Sequence, residues 1–357
     1  MTAPAHERYV VRRWSRRSRL ALAGVAVAGV ALAAVPLALS TYAVEQLTEL
    51  FLLAILAAMW NALAGYGGMI SIGQQAFLGA GAYATILLAQ RGTPPYLAIV
   101  LAAVIAGVLA LPISLLVLRL RGGQFAIGTW VVAEVLALLV ALDRGVGGGT
   151  GVSLTGLNVH APADRQAYTY WLTLGFGAVL LGLVFALLRS PAGAALQAIR
   201  DDEDAAASLG VRVDTTKLLL FVLAAFGCGA AGALTLANTL FIQPRSIFGV
   251  QWTAYMIFMV LVGGLGTFEG PLIGAALFFA LQHWFADLGA WYLIGLGATA
   301  VGFALLLPRG LWGWVEQRLR IQLLPVGYQL DAPERSAASP TAPPAPGSAP
   351  PPDSAAP

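Results

Sequence analysis

Long apolar runs recur along almost the whole chain and constrain its fold more than any other feature. Each run has about the 20 residues that a helix needs to cross a hydrocarbon core roughly 30 Å thick. The runs are continuous rather than alternating, which favours helices over a membrane barrel. Only 10% of the 357 residues are charged, against about 25% in soluble domains. We therefore predict an all-α, polytopic membrane protein with about ten transmembrane helices, near residues 20–39, 47–64, 69–89, 96–118, 124–141, 167–188, 218–240, 251–265, 271–287 and 290–307.

The distribution of basic residues predicts which side of the membrane each connection faces. Residues 1–19 are rich in arginine and precede the first apolar run, as in a signal peptide. That run is long for a signal core and no clean cleavage site closes it, so we interpret residues 1–19 as a basic cytosolic segment and residues 20–315 as the transmembrane domain. Residues 316–357, rich in Pro and Ala, are predicted to be a disordered cytosolic tail, which places both chain ends in the cytoplasm.

Residues 189–217 form a charged loop between two apolar runs. Ser190 is a suitable N-cap with Pro191 behind it, and Gly210 is a suitable stop, so a single helix is predicted between them. Its acidic cluster argues against a helix lying on anionic lipid, although such a surface linker is the alternative. We expect the helix to dock on a soluble partner that drives a transporter, through Ser190, Ala195, Ile199, Arg200, Asp202, Glu203 and Gly210.

Two glycine clusters interrupt apolar runs, at residues 65–77 and 263–271. Small residues let membrane helices approach closely, which explains most of the glycines in this chain. Helices interrupted in corresponding halves also indicate a substrate path. Each cluster is therefore interpreted either as part of such a path or as a tight turn.

Polar side chains within apolar spans are the candidates for lining the path. In lipid they need partners or water, so each could instead hold two helices together. Glu134 stands out, because an ionised carboxylate near mid-span is unfavourable. The predicted path residues are Asn61, Gln74, Gln75, Glu134, Gln251, Tyr255 and Gln282.

Several kinds of site are missing from the sequence. No phosphate-binding loop, zinc-protease motif or nucleophile elbow occurs, and the three histidines are scattered. The one cysteine, Cys228, lies between glycines and is interpreted as a packing residue. The basic residues cluster at membrane edges, so the net charge of +3 gives no indication of nucleic acid. We predict no metal site, no cofactor in this chain and no enzymatic activity, so active transport would draw its energy from another chain or an ion gradient.

An ordered set of motifs resembles the permeases of bacterial branched-chain amino acid ABC importers, specifically the longer of the two paired permeases. Residues 65–83 resemble the family segment Gly-Tyr-x-Gly-x-x-Ser-x-Gly-x-x-Ala-Phe. Gln74 and Gln75 depart from the Gly-His or similar pair that the family often has there. Further matches follow in order at residues 121–134, 147–153, 190–210, 261–271 and 308–313.

The resemblance implies a type II ABC importer-like permease in a bacterial inner membrane. Its partners would be a second permease, two cytosolic ATPase subunits that bind ATP and Mg, and a periplasmic substrate-binding protein. Residues 190–210 would be the coupling helix. Related permeases carry urea, short amides or other small acids, so the cargo stays open.

Two other classes of function compete with this interpretation. An ion-driven secondary carrier would need paired ionisable groups within its spans, and Glu134 has no evident cationic partner. A membrane scaffold or an embedded enzyme is the other alternative, and the missing catalytic motifs count against the enzyme.

Overall fold

The computed structural model describes residues 10–12, 16–159, 161–285, 289–307, 309–319 and 329–331. The chain is mostly helical. Its helices are α1 (Arg16–Ala33), α2 (Val35–Ala38), α3 (Thr41–Asn61), α4 (Gln75–Gln90), α5 (Pro95–Val117), α6 (Gly123–Leu142), α7 (Pro162–Leu188), α8 (Pro191–Asp201), α9 (Glu203–Ser208), α10 (Val213–Thr239), α11 (Pro244–Ile247), α12 (Gln251–Gly263), α13 (Gly270–Phe285), α14 (Ala290–Leu306) and α15 (Gly310–Leu319). The strands are β1 (Val10–Arg12), β2 (Val152–Ser153), β3 (Phe241–Ile242) and β4 (Gln329–Asp331).

The predicted span 20–39 is divided between α1 and α2, and each of the other nine overlaps one helix, which confirms a polytopic helical membrane protein. Within the described residues, six helical segments are long and apolar enough to cross a membrane: Thr41–Tyr66, Pro95–Val117, Gly123–Leu142, Pro162–Leu188, Val213–Thr239 and Pro244–Gly263. Shorter apolar helices occur in α1, α13 and α14. The predicted span 69–89 is wrong at its start, because the chain from Met69 to Gln74 is not helical and α4 begins at Gln75.

Helices α3 and α10 form the centre of the bundle. In each, 72% of the most apolar stretch is buried inside the protein, against 22% for α6 and 28% for α7. A π-helical turn, Ala62–Tyr66, continues α3 and is itself buried. The outer helices α6 and α7 therefore expose their apolar surface to lipid or to another subunit.

Helices α4, α5 and α10 pack with their backbones close together. A Cβ added to Gly81 would overlap the carbonyl of Gly229, and one added to Gly232 would overlap the carbonyl of Leu78. A Cβ on Gly229 would overlap the Cβ of Ala106 in α5. Glycine at these positions is what allows the three helices to approach at this distance.

The bundle has two structurally distinct ends. One end, called here the hairpin end, carries α8 and α9 between the end of α7 and the start of α10. The other, the sheet end, carries β2 and β3, which pair antiparallel just beyond the end of α10. Helix α10 runs from the hairpin end to the sheet end, so the α8–α9 loop and the β2–β3 pair lie at opposite ends of the bundle.

Two short segments from opposite ends of the sequence pair with each other, since β1 lies antiparallel to β4. The prediction of a disordered tail from residue 316 is wrong for 316–319, which complete α15, and for β4. Helix α15 is held because Gly310 packs against the backbone of Gly263 and Gly264. The rest of the predicted basic segment and tail, residues 1–9, 13–15, 320–328 and 332–357, lies outside the described residues.

Candidate functional site

The charged loop between α7 and α10 folds as a hairpin of two helices, so the prediction of one helix between Ser190 and Gly210 is wrong. The break is at Asp202, whose backbone is extended (φ −157°, ψ 111°). Its carboxylate accepts hydrogen bonds from the backbone N–H groups of Asp204 at 3.0 Å and Ala205 at 2.9 Å. Aspartate is among the best N-caps because its side chain satisfies donors that a helix start leaves free, and here that preference starts α9 inside an alanine-rich run.

The two ends of the hairpin differ from each other in how far they match the prediction. Ser190 is the N-cap residue of α8 and Pro191 begins the helix, as predicted, but the Ser190 hydroxyl donates to the carbonyl of Leu187 at 2.6 Å and makes no capping bond to α8. Gly210 does end α9, with a left-handed backbone (φ +87°). The N–H of Gly210 bonds to Ala207 and that of Val211 bonds to Ala206, which is the Schellman arrangement that favours glycine.

The inner face of the hairpin packs on the bundle. Leu196 and Ile199 are buried, and Ala195 beside them is half-buried. Leu209, at the end of α9, is 85% exposed. Since burying an apolar side chain is favourable, α8 is held to the transmembrane helices while Leu209 is presented outward.

Charged side chains tie the hairpin to the bundle. Glu203 pairs with Lys217 at the start of α10 and with Arg121 at 3.5 Å. Arg121 also pairs with Asp204 at 3.2 Å. The Glu203 carboxylate is therefore shared between two cations of this chain, and its predicted contact with a soluble partner stays a prediction.

Arg200 links the hairpin to the broken end of α3. Its Nη1 donates to the backbone carbonyl of Gly65 at 2.9 Å, within the π-helical turn. One turn earlier, Asn61 donates from Nδ2 to the carbonyl of Thr267 at 2.8 Å and accepts from the N–H of Gly266 at 2.9 Å. A continuous chain of hydrogen bonds therefore joins α8, the end of α3 and the loop between α12 and α13.

The predicted path residue Asn61 therefore links the two glycine clusters through hydrogen bonds. It is 3% exposed and its amide is used in both directions by the loop. The two clusters, predicted as path elements or tight turns, meet at this point. Their glycines permit the contact, since a Cβ on Gly65 would overlap the backbone of Gly266.

Gln74 and Gln75 also lie inside the bundle, fully buried. Gln74 donates to the Ser71 hydroxyl at 3.3 Å and accepts from the Cys228 thiol at 3.4 Å. Gln75 accepts from the Thr253 hydroxyl, and its Nε2 finds no partner within the described residues. Both side chains connect helices, which is the alternative interpretation of buried polar groups, and Cys228 takes part in hydrogen bonding besides packing.

Glu134 and Gln251 lie on exposed surfaces. Glu134 accepts a hydrogen bond from Trp130 of the same helix at 3.2 Å. The place of Glu134 on a substrate path stays a prediction. Glu134 is exposed because α6 packs on the bundle along one narrow face, with Phe125, Ala126, Thr129 and Ala133 buried.

Tyr255 and Gln282 meet in one cavity at the sheet end, with a volume of about 370 Å³. Gln282 donates to the Glu49 carboxylate at 3.2 Å. Sequence reasoning missed Glu49 and its neighbour Glu45 as site residues. The available signal was an acidic pair spaced i, i+4 at the start of an apolar span, which places both carboxylates on one face of α3.

Comparison with protein families decides what kind of molecule this is. The family model described as "Branched-chain amino acid transport system / permease component" matches residues 42–307. The chain belongs to this family. The resemblance seen in the ordered motifs is thereby confirmed.

Three known permease proteins are similar to this chain in sequence. The high-affinity branched-chain amino acid transport system permease proteins LivM of Salmonella typhimurium and Escherichia coli K12 are each 27% identical to it. The alignments cover 78% and 79% of this chain and 72% of each relative. A probable branched-chain amino acid transport permease protein LivM of Methanocaldococcus jannaschii is 26% identical over 50% of this chain and 52% of that protein. No solved structure matches the chain.

A branched-chain amino acid permease component is a transport subunit rather than an enzyme. Family membership therefore excludes the scaffold and the embedded enzyme as descriptions of this chain. Among the described residues, no group of three or more His, Cys, Asp or Glu side chains could hold a metal ion. His6 and His160 lie outside the described residues.

Proposed function

We propose that this permease component is the membrane-spanning subunit of an ATP-driven ABC importer for branched-chain amino acids. It works with a second permease, two cytosolic ATPase subunits that bind ATP and Mg, and a periplasmic binding protein. It lies in a bacterial inner membrane with both termini in the cytoplasm. The observation that carries the proposal is the α8–α9 hairpin, which presents an exposed surface at one end of the bundle and is tied to its centre.

The hairpin has the features that a coupling element needs. Its outer surface offers Asp201, with a side chain 69% exposed, Asp204 at 81% and Leu209 at 85%. Its inner surface is fastened through Arg200 to the end of α3, the central helix. A push on the outer surface would therefore reach the bundle through a short set of hydrogen bonds rather than through a flexible linker.

The proposed cargo follows from the relatives, both LivM proteins being named for branched-chain amino acids. We propose the same class for this chain, with urea or short amides as the alternative cargo. The exposed faces of α6 and α7 offer room for the second permease, so the path would be enclosed between two subunits. Glu134, on the exposed face of α6, would then lie at that boundary.

Reconstituted transport tests the proposal directly. The chain should be purified with the second permease and the ATPase pair, placed in liposomes and supplied with the binding protein. We expect leucine uptake that requires ATP and exceeds uptake of urea and acetamide by at least about tenfold. ATP-independent uptake driven by an ion gradient, in vesicles without the ATPase, would instead support a secondary carrier. Preferred uptake of urea or acetamide would change the proposed substrate but leave the assignment as an ATP-driven importer in place.

Cysteine labelling tests the proposed orientation. The native Cys228 is fully buried, so new cysteines can be read above a low background. We expect Leu209→Cys, at the hairpin end, to react with an impermeant maleimide only after the membrane is opened. Val159→Cys, 81% exposed in the loop before α7, is the matched control and should react in intact spheroplasts. The opposite pattern would place the hairpin outside, where no cytosolic ATPase reaches it.

A further inference from the structure

The cavity at the sheet end is built from four helices of this chain. It lies between the start of α3, the end of α10, the start of α12 and the end of α13. Its volume of about 370 Å³ falls within the range of roughly 300–1,000 Å³ typical of small-molecule sites. Glu49 lies eight residues into α3, which is about 12 Å along the helix at 1.5 Å per residue.

The polar lining of the cavity includes a cluster of hydrogen-bond acceptors, two of which receive no hydrogen bond from the part of the chain that the structure describes. Glu45 and Glu49 both line it, and within the described residues no salt bridge pairs either of them. The side-chain oxygens of Asn238 and Gln282 are buried there without a hydrogen-bond partner. Two carboxylates and two unpartnered oxygens in one cavity favour a ligand that donates several hydrogen bonds and carries positive charge.

The remaining lining is apolar and aromatic. Leu52 and Ile247 form part of the wall, and the rings of Trp252 and Tyr255 meet edge to face with centroids 6.2 Å apart. Aromatic faces attract organic cations and also pack against aliphatic groups. A bare metal ion would leave most of this volume empty, so an organic ligand fits the lining better.

We propose that this cavity binds a small solute with a protonated amino group and a short apolar body. Glu49, positioned by Gln282, accepts the ammonium group together with the free oxygens of Asn238 and Gln282. The wall formed by Leu52, Trp252 and Tyr255 receives the apolar part. The cavity lies apart from the α6 and α7 faces offered to the second permease, and among the described residues its lining holds no cation for the carboxylate of an amino acid, so the inference goes beyond the proposed function and its cargo.

Binding of two isosteric probes tests the charge requirement. The full chain, purified in detergent with its partner subunits, should be titrated by calorimetry with 3-methylbutylamine and with the neutral 3-methylbutan-1-ol. We expect the amine to bind at least about tenfold more tightly than the alcohol, and Glu49→Gln to weaken amine binding by a similar factor. Glu49→Asp, which keeps the charge, should retain most of the affinity and shows that the site is still folded.

A matched control and three outcomes make the test decisive. Asp164→Asn removes an exposed carboxylate in the first turn of α7, outside the cavity lining, and should leave amine affinity unchanged. Equal affinity for amine and alcohol, an unchanged affinity in Glu49→Gln, or displacement of the amine by sodium at equimolar concentration would overturn the inference. Failure of the proposed function is seen separately, as wild-type liposomes that show no ATP-dependent uptake of any solute, whatever the amine binds.

Discussion

Replacing Arg200 by glutamate is expected to uncouple ATP hydrolysis from uptake. The guanidinium of Arg200 donates to the Gly65 carbonyl at 2.9 Å. A glutamate carboxylate cannot replace this bond, because both it and the carbonyl oxygen are hydrogen-bond acceptors. Losing a charged hydrogen bond and leaving a part-buried carbonyl unpaired costs about 1–3 kcal/mol, enough to free the hairpin from α3. We expect uptake per ATP hydrolysed to fall by at least about tenfold, with membrane insertion intact.

The ratio of leucine uptake to ATP hydrolysis in liposomes measures this effect. Arg212→Glu is the matched control, because Arg212 belongs to the same loop, is exposed and has no salt bridge within the described residues. Charge reversal at Glu203 should resemble Arg200→Glu, since it removes the pairs with Arg121 and Lys217. Normal coupling in both reversed variants, with the hairpin accessible, would contradict the proposed coupling role.

Replacing Gly81 by valine is expected to prevent assembly of the bundle. A Cβ at this position would overlap the carbonyl oxygen, the carbonyl carbon and the Cα of Gly229 in α10. These are backbone atoms, which no side-chain rotation can move. Overpacking a core costs about 1–3 kcal/mol and sometimes more, and here α4 would have to move away from the central helix. We expect the yield of monodisperse protein in detergent to collapse, or its Tm to fall by 10 °C or more, on the order expected for such losses.

Gly182→Val in α7 is the control for the same change of residue. A Cβ there meets nothing within 4 Å, so the valine side chain would point into open space at the lipid-facing surface. Yield and Tm, measured by size-exclusion chromatography and thermal unfolding in one detergent, should stay near those of the wild type. A stable Gly81→Val protein would show that α4 and α10 are not held at the backbone distance described here.

The pattern of apolar runs was enough to predict the architecture. In lipid, the backbone N–H and C=O groups of a segment must bond within the protein. A continuous apolar run can do this as a helix, so the pattern of such runs predicts the fold class. The ordered glycine motifs were equally informative, because close backbone contacts such as Gly65 against Gly266 tolerate no other residue. The same reasoning found the hairpin region and its stop at Gly210.

Side-chain partners could not be predicted in the same way. Asn61, Gln74 and Glu134 share one signature in the sequence, a polar residue in an apolar run. In the structure the first holds a loop, the second bonds to Ser71 and Cys228, and the third lies on an exposed face. Which of these occurs depends on the rotation of each helix about its axis. In a weakly amphipathic helix such as α6, the sequence does not show which face is buried.

The amino-acid sequence by itself determined that the chain crosses the membrane many times, which family it belongs to and where its charged loop lies. Tertiary structure alone decided that the loop is broken by Asp202, that Arg200 grips the end of α3, and that Glu49 meets Gln282 across a cavity. The physical reason is range. Hydrophobicity and helix capping act between near neighbours in the chain, whereas these contacts join residues 135 and 233 positions apart and exist only once the helices have packed.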